Sequence, residues 1–282
     1  MKKEKKVKEK KTSVWSKGAK IEATILIIVT SLVCVAAGFV TERIIAKRKY
    51  ETKNPVATIE VENFGTITVE LYPEYAPNTV ANFIALANNG FYNGLTFHRT
   101  IPDFMIQGGD KNGDGSGNAT LKDIGEDSDD KYAIEGEFIL NGFTQNTLKH
   151  TRGVISMARS DYSSMGTTTL TKKGYNSASS QFFIMTADNV SLDGLYAAFG
   201  KVIDGMDVVD KISNVDVETR DSNSTDANLT ADRPVDPPVI KSITVDTKGV
   251  DYGKPKTVEP FDYYSYMMQQ YYGSSSSSTS AD

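Results

Sequence analysis

A chain of 282 residues has room for one large domain or two small ones, and its formal charge of −5 hides a strong asymmetry. Residues 1–20 carry nine lysines against two glutamates, whereas residues 55–282 carry 17 basic against 31 acidic side chains, a balance unsuited to nucleic acid, where phosphate neutralisation needs clustered Lys and Arg. With Cys34 as the single cysteine and His98 and His150 as the two histidines, the body of the chain has no disulfide, thiolate metal site or catalytic cysteine, and little for zinc or Ser–His chemistry.

In chain order, the basic head (1–20) runs into ATILIIVTSLVCVAAGFV, 18 residues at 23–40 without a charge. That length is near the lower limit for a spanning helix, and Ile21 extends it past Glu22. Nine lysines precede it, against Arg43, Lys47, Arg48, Lys49 and Lys53 after it. The positive-inside rule then puts the N-terminus in the cytoplasm and everything downstream outside. The expectation is a single-pass transmembrane helix over 21–41 at the cell membrane, with a polar tether at 42–54. The alternative is a signal peptide cleaved after Ala37, giving a secreted product on the same side.

From Pro55 the pattern turns strand-like. VATIEVENFGTITVELY alternates apolar and polar residues about Asn63-Phe64-Gly65, a hairpin signal. Pro77-Asn78-Thr79 opens a helix with Val80, Phe83, Ile84 and Ala87 at helical spacing, stopped by Asn89-Gly90. Apolar strands are predicted at 94–99, 104–107, 153–158, 181–186 and 196–202, a second helix from Met206 to Ile212, and a last strand at 239–245. Two segments read as excursions, the acidic 119–133 and the Ser/Thr-rich 160–179. Residues 248–282 form a tail with a Tyr/Met cluster and a low-complexity serine run. Many short strands with two helices point to a closed antiparallel barrel over 55–247.

Within FHRTIPDFMIQGGD (97–110), Arg99 lies among apolar residues, where a cation is expensive to bury without a partner. On those residues alone it is an arginine snorkelling over its neighbours. Just downstream, Asp110, Asn112, Asp114, Gly115, Ser116 and Asn118 imitate the start of a calcium loop, but Leu121 stands where the bidentate Glu belongs.

Five stretches, in order, resemble the cyclophilin family of peptidyl-prolyl cis–trans isomerases: FGTITVELYPEYAPNTVANFIAL (64–86), GLTFHRTIPDFMIQGGD (94–110), HTRGVISMAR (150–159), SSQFFIMTAD (179–188) and LDGLYAAFGKVIDGMDVVDKI (192–212). The resemblance implies a mainly all-β fold, a closed eight-stranded antiparallel β-barrel capped by two α-helices, with the groove on its outer surface. It implies Arg99 and Gln107 as the catalytic pair. Phe104, Met105, Phe183 and Leu192 would hold the proline ring, Tyr196 would close the pocket, and Ala158, Arg159 and Gln181 would line the peptide track. No nucleotide, metal or redox cofactor is implied. The expected partners are proline-containing unfolded or exported polypeptides, with the membrane reached through the N-terminal helix and no nucleic acid. The whole is expected to be a monomeric, membrane-anchored bacterial enzyme that assists folding of exported proteins. Two alternatives stay open: a non-catalytic prolyl-peptide-binding module, and a surface adhesion protein that reuses the barrel.

Departures from the family pattern are Ser191 or Val190 where a tryptophan is common, Tyr196 for a histidine, Arg159 for an asparagine, and the longer 160–179 loop. The missing tryptophan implies weak binding of cyclosporin-type inhibitors, and Arg159 with the long loop implies an altered preference beside proline.

Overall fold

The computed structural model describes Leu26, Ile28, Thr30 and Ser31, and residues 54–165, 167–218 and 232–275. Residues 1–49 and 50–282 form separate compact units. In the first, the four described residues are helical, and the anchor expected over 21–41 otherwise lies outside the described residues. Among the described residues, no helix is long and apolar enough to cross a membrane.

The second unit begins with the predicted hairpin, β1 (Val56–Val61) and β2 (Gly65–Leu71), paired from Val56–Glu70 to Val61–Gly65. Asn63 and Gly65 take positive φ, at 62° and 128°, as a tight reversal requires. Alternation then buries Ala57, Ile59, Val61, Ile67, Val69 and Leu71. Helix α1 (Pro77–Asn88) starts on proline, whose missing N–H costs nothing at a first turn. Its cap comes from far along the chain. The Glu137 carboxylate accepts from the Asn78 N–H at 3.0 Å, the Thr79 N–H at 2.7 Å and the Thr79 hydroxyl at 2.7 Å.

The remaining elements are β3 (Thr96–Ile101), β4 (Met105–Asp110), β5 (Val154–Met157), α2 (Thr168–Tyr175), β6 (Phe182–Met185), β7 (Ala198–Asp204), α3 (Met206–Ser213), β8 (Ile240–Asp246) and α4 (Tyr263–Ser275). The eight strands form one antiparallel sheet in the order β3-β4-β6-β5-β7-β2-β1-β8. Here the expected closed barrel is corrected to a curled half-barrel. Between its end strands, β3 and β8, only an isolated bridge, Thr96–Val239, and a few loop-type hydrogen bonds span the seam. Pro237 and Pro238 lie just before β8 and have no N–H to extend a ladder there.

Inside the curl, Phe83 of α1 meets Tyr92, Phe199 and Phe182 with ring centroids 5.3, 5.3 and 5.7 Å apart, at the centre of one continuous apolar core. Gly109 is required where β4 passes β6. Its φ is +81°, and a Cβ there would lie 2.6 Å from the Ser180 carbonyl oxygen.

The two-helix expectation is also revised. The 160–179 excursion contains α2, capped by the Thr167 hydroxyl, which accepts from the Leu170 N–H, and anchored by buried Leu170. Within 119–133, Tyr132 is buried and its hydroxyl donates to Asn82 at 2.6 Å. Beyond β8 the chain runs back over the domain. Asn78 and the Lys256 backbone exchange two hydrogen bonds, Val258 bridges to Ala133, and Lys254 pairs with Glu126 at 2.6 Å. Phe261 and Tyr263 then pack on Tyr162, with centroids 5.8 and 5.4 Å away.

Candidate active site

Strands β4, β6 and β5 carry apolar side chains on both faces. Ile106, Phe182, Ile184, Ile155 and Met157 enter the main core, while their alternates Met105, Phe183, Met185 and Val154 point the other way. On that outer face they form a separate cluster with Ala198, bordered by half-buried Ile101, Phe104, Leu148, Ala158, Leu192 and Tyr196. Every residue expected to hold a proline ring (Phe104, Met105, Phe183, Leu192), together with Tyr196 and Ala158, belongs to it.

Arg99 reaches this face through an irregularity. Strict alternation along β3 would put Arg99 on the side of Phe97, which is in the main core. The register slips between Phe97, opposite Gly108, and Arg99, opposite Gln107, so His98 is an extra residue in β3. The bulge re-aims the arginine. Its side chain is 37% exposed, and Nε and Nη2 both lie 3.2 Å from Oδ2 of Asp232. Gln107 sits opposite, and its amide donates to Gln181 Oε1 at 2.9 Å. Gln181 in turn donates to the carbonyls of Gly115 and Gly117, both at 3.0 Å. This relay fixes which way both amides face. It also forms one wall of a polar groove of about 230 Å³, lined by Gln107, Gln181, Ala158, Arg159, Ser116 and Ser179 among others.

Arg159 lines that groove, but its guanidinium is turned into the protein. Its side chain is 5% exposed, and the head lies 4.5 Å from the Tyr196 ring centre, 5.0 Å from Tyr175 and 5.7 Å from Phe138. Nε donates to the Leu195 carbonyl at 3.0 Å. Such a caged cation is stabilised by the ring faces, so Arg159 serves the wall rather than standing free along the track. Tyr175 comes from α2, so the Ser/Thr-rich excursion completes the cage.

Beneath Phe183 lies His150, its ring stacked at 6.1 Å. Nδ1 is 3.3 Å from Asp193 and Nε2 is 3.2 Å from the Ser156 hydroxyl. Burial pushes the His150 pKa down, against the opposing effect of its hydrogen bond to the Asp193 carboxylate. Asp, His and Ser are thus in line, but His150 and Ser156 are buried beneath Phe183, with Asp193 half-buried at the edge, and the three act as a support for the pocket floor. His98 is buried too, and burial lowers its pKa against the field of Asp110. In the calcium-like loop, the Asp110 carboxylate accepts the backbone N–H groups of Asn112, Asp114 and Gly115. That carboxylate organises a turn, and among the described residues no group of three or more His, Cys, Asp or Glu side chains could hold a metal.

Sequence reasoning missed Asp232, which meets Arg99 across 133 residues of chain, and the rings of Phe138 and Tyr175 around Arg159. No local pattern marks them. The one available signal was the unexplained cost of a cation among apolar residues.

A family model for cyclophilin type peptidyl-prolyl cis-trans isomerases matches residues 56–245. A Schizosaccharomyces pombe peptidyl-prolyl cis-trans isomerase is 34% identical over 193 residues, covering 67% of this chain and all of that protein. One from Acinetobacter baylyi is 41% identical, covering 56% of this chain and 71% of that one. This chain spans only 25% of the length of a Gibberella zeae peptidyl-prolyl cis-trans isomerase-like 2 protein, to which it is 38% identical over 65% of its own length. The crystal structure of a Cryptosporidium parvum cyclophilin type isomerase superposes with a TM-score of 0.52 at 28% identity, covering 69% of this chain and 98% of that one. A second structure of that protein, determined in the presence of the dipeptide Ala-Pro, gives 0.51 at 29% identity, covering 68% and 98%. With the sheet order, the outer apolar cluster and the Arg99–Gln107 register already in place, these matches establish that the chain belongs to the cyclophilin-type peptidyl-prolyl cis–trans isomerase family.

Proposed function

We propose that this chain accelerates rotation about X–Pro bonds, with Arg99 and Gln107 as catalytic residues and the outer apolar cluster as the seat of the proline ring. The observation that carries this reading is the bulged register of β3, which sets a half-exposed guanidinium opposite Gln107 and beside an apolar cluster separate from the core. The Ala-Pro dipeptide used with the Cryptosporidium relative is the kind of ligand such a slot would accept.

The chemistry needs no nucleophile. An amide resists rotation because the nitrogen lone pair is delocalised into the carbonyl, a barrier of about 18–20 kcal/mol. X–Pro bonds therefore exchange over tens to hundreds of seconds unaided. On twisting, the prolyl nitrogen becomes pyramidal and regains a localised lone pair. A guanidinium N–H aimed at that nitrogen bonds the twisted state better than the planar one, which is differential binding of the transition state. Phe104, Met105, Phe183 and Leu192 pin the ring while the carbonyl side turns, and Gln107, held by the Gln181 relay, orients the peptide backbone. Each 1.36 kcal/mol of selective stabilisation gives tenfold in rate.

The test is a protease-coupled proline-peptide assay on the full chain and on Arg99→Ala. Catalysis that disappears while peptide binding persists is the expected result. Binding without turnover in the wild type would make the groove a peptide-holding module instead.

We also read residues 21–41 as a membrane anchor with the isomerase domain outside the cell. The charge-free run and the lysine-rich head support this reading. Protease added to intact cells should then digest the domain, and the mature protein should keep residues 1–20. A mature N-terminus after Ala37 would replace the anchor with a cleaved signal.

A further inference from the structure

We infer that Asp232 is a positioning residue for the reaction, holding the Arg99 guanidinium in the one orientation that leaves an N–H free for the prolyl nitrogen. The inference rests on the catalytic reading of Arg99. Three observations carry it. Nε and Nη2 of Arg99 both lie 3.2 Å from the same oxygen, Oδ2 of Asp232, so one edge of the planar fork is occupied. Among the described residues Nε makes the side chain's hydrogen bond and Nη2 the ion-pair contact, whereas Nη1 makes neither and is the nitrogen left to donate. The carboxylate is itself fixed against the strand that bears the arginine, because the Asp232 carbonyl accepts from the N–H of Thr100, the residue next to Arg99, at 2.8 Å.

Around Asp232 the chain is tied down on its other side as well. The Arg233 carbonyl accepts from the Glu218 N–H at 2.8 Å, the Asp216 carbonyl accepts from the Val235 N–H at 2.9 Å, and Val217 bridges to Pro234. The carboxylate is therefore delivered by a braced segment rather than by a free loop tip. An arginine side chain carries several rotatable bonds, and a half-exposed one samples many rotamers. Binding one edge to a fixed carboxylate removes that freedom before substrate arrives, as a preorganised donor requires. The partner residues are 37% and 33% exposed, so salt can screen the pair. The inference thus predicts a salt sensitivity that mere packing would lack.

The test uses the full chain with Asp232→Ala, the isosteric Asp232→Asn and the conservative Asp232→Glu. Readouts are kcat and KM on a proline peptide at low and high salt, and the NMR signal of the Arg99 Nε–H. The expected result for Asp232→Ala is a three- to tenfold loss in kcat with KM changed less than twofold, and loss of the ordered Nε–H signal. Asp232→Glu should restore part of both. Raising salt should bring the wild type toward the alanine variant, whose own rate should hardly respond. Should Asp232→Ala not fold, Asp232→Asn carries the same expectation. Rates within twofold of wild type, a faster variant, or a loss of kcat with an unchanged Nε–H signal would each overturn the inference. Failure of the underlying reading is distinct: Arg99→Ala would then keep wild-type activity, whatever the Asp232 variants do.

Discussion

The two faces of strands β4, β5 and β6 share a backbone and differ in almost everything else. Toward the curl, Phe182, Ile106 and Ile155 interlock with Phe83 and Phe97 in a region without charge. Toward the outside, Met105, Phe183 and Val154 form a thin apolar floor edged by Arg99, Gln107 and Gln181 and braced from below by His150. One face is closed within the core, and the other is covered by a single layer of half-buried side chains, Ile101, Phe104, Leu148, Leu192 and Tyr196 among them, where the proline ring is proposed to bind. Stability and activity are accordingly expected to separate along a single strand, residue by residue.

The largest break in that comparison comes from the inner face. Phe182→Ala removes a fully buried ring that contacts Phe83, Tyr92 and Phe97, and is expected to cost about 3–5 kcal/mol, read as a lowered urea midpoint. Activity should fall only as far as the folded fraction does. Arg99→Ala is the converse. It should lower kcat/KM by roughly 10²–10³-fold, the range for removing one preorganised donor, with little change in melting temperature, since a half-exposed ion pair contributes about 0–1 kcal/mol. A matching loss of stability would erase the division between faces.

Smaller in effect is Glu137→Ala, which uncaps α1 and is expected to destabilise by about 1–2 kcal/mol in a denaturant titration. Glu137 touches the fold and not the slot, so kcat should stay at the wild-type value. The smallest effect is in pH. Burial lowers the native pKa values of both His98 and His150 below the ordinary value of about 6.5. As pH falls through that value, the unfolded chain takes up protons that the native chain refuses, so stability declines from there downward. Urea midpoints at pH 7.5 and 5.5 should show the decline, and His150→Gln should reduce it.

Much of the fold was legible because alternation and helical spacing are local. The β1–β2 hairpin, α1 and α3 could be read directly, and the quoted motifs carried the outer-face residues. Other features depend on chain segments far apart. The bulge at His98 depends on pairing with Gly108 and Gln107, and strict alternation would have turned Arg99 inward. The runs Val154–Met157 and Phe182–Met185 are buried at every position, so periodicity alone could not assign them a face. Asp232, the cage around Arg159 and the Glu137 cap are meetings across tens of residues, with no spacing rule to announce them. The 160–179 segment read as an excursion because its composition is polar, yet it holds a short helix with a capping Thr167, a buried Leu170 and a Tyr175 ring packed on Phe138.

The run of chain beyond β8 bears on how this protein should be cut for study. A fragment trimmed to the family match at residue 245 would leave Asn78 without Lys256, the edge at Ala133 without Val258, and Tyr162 without its two ring neighbours. Tyr162 belongs to the same excursion that delivers Tyr175 to Arg159 and so to Tyr196. Selectivity measured on the trimmed piece would therefore describe a groove whose rim had lost its outer buttress.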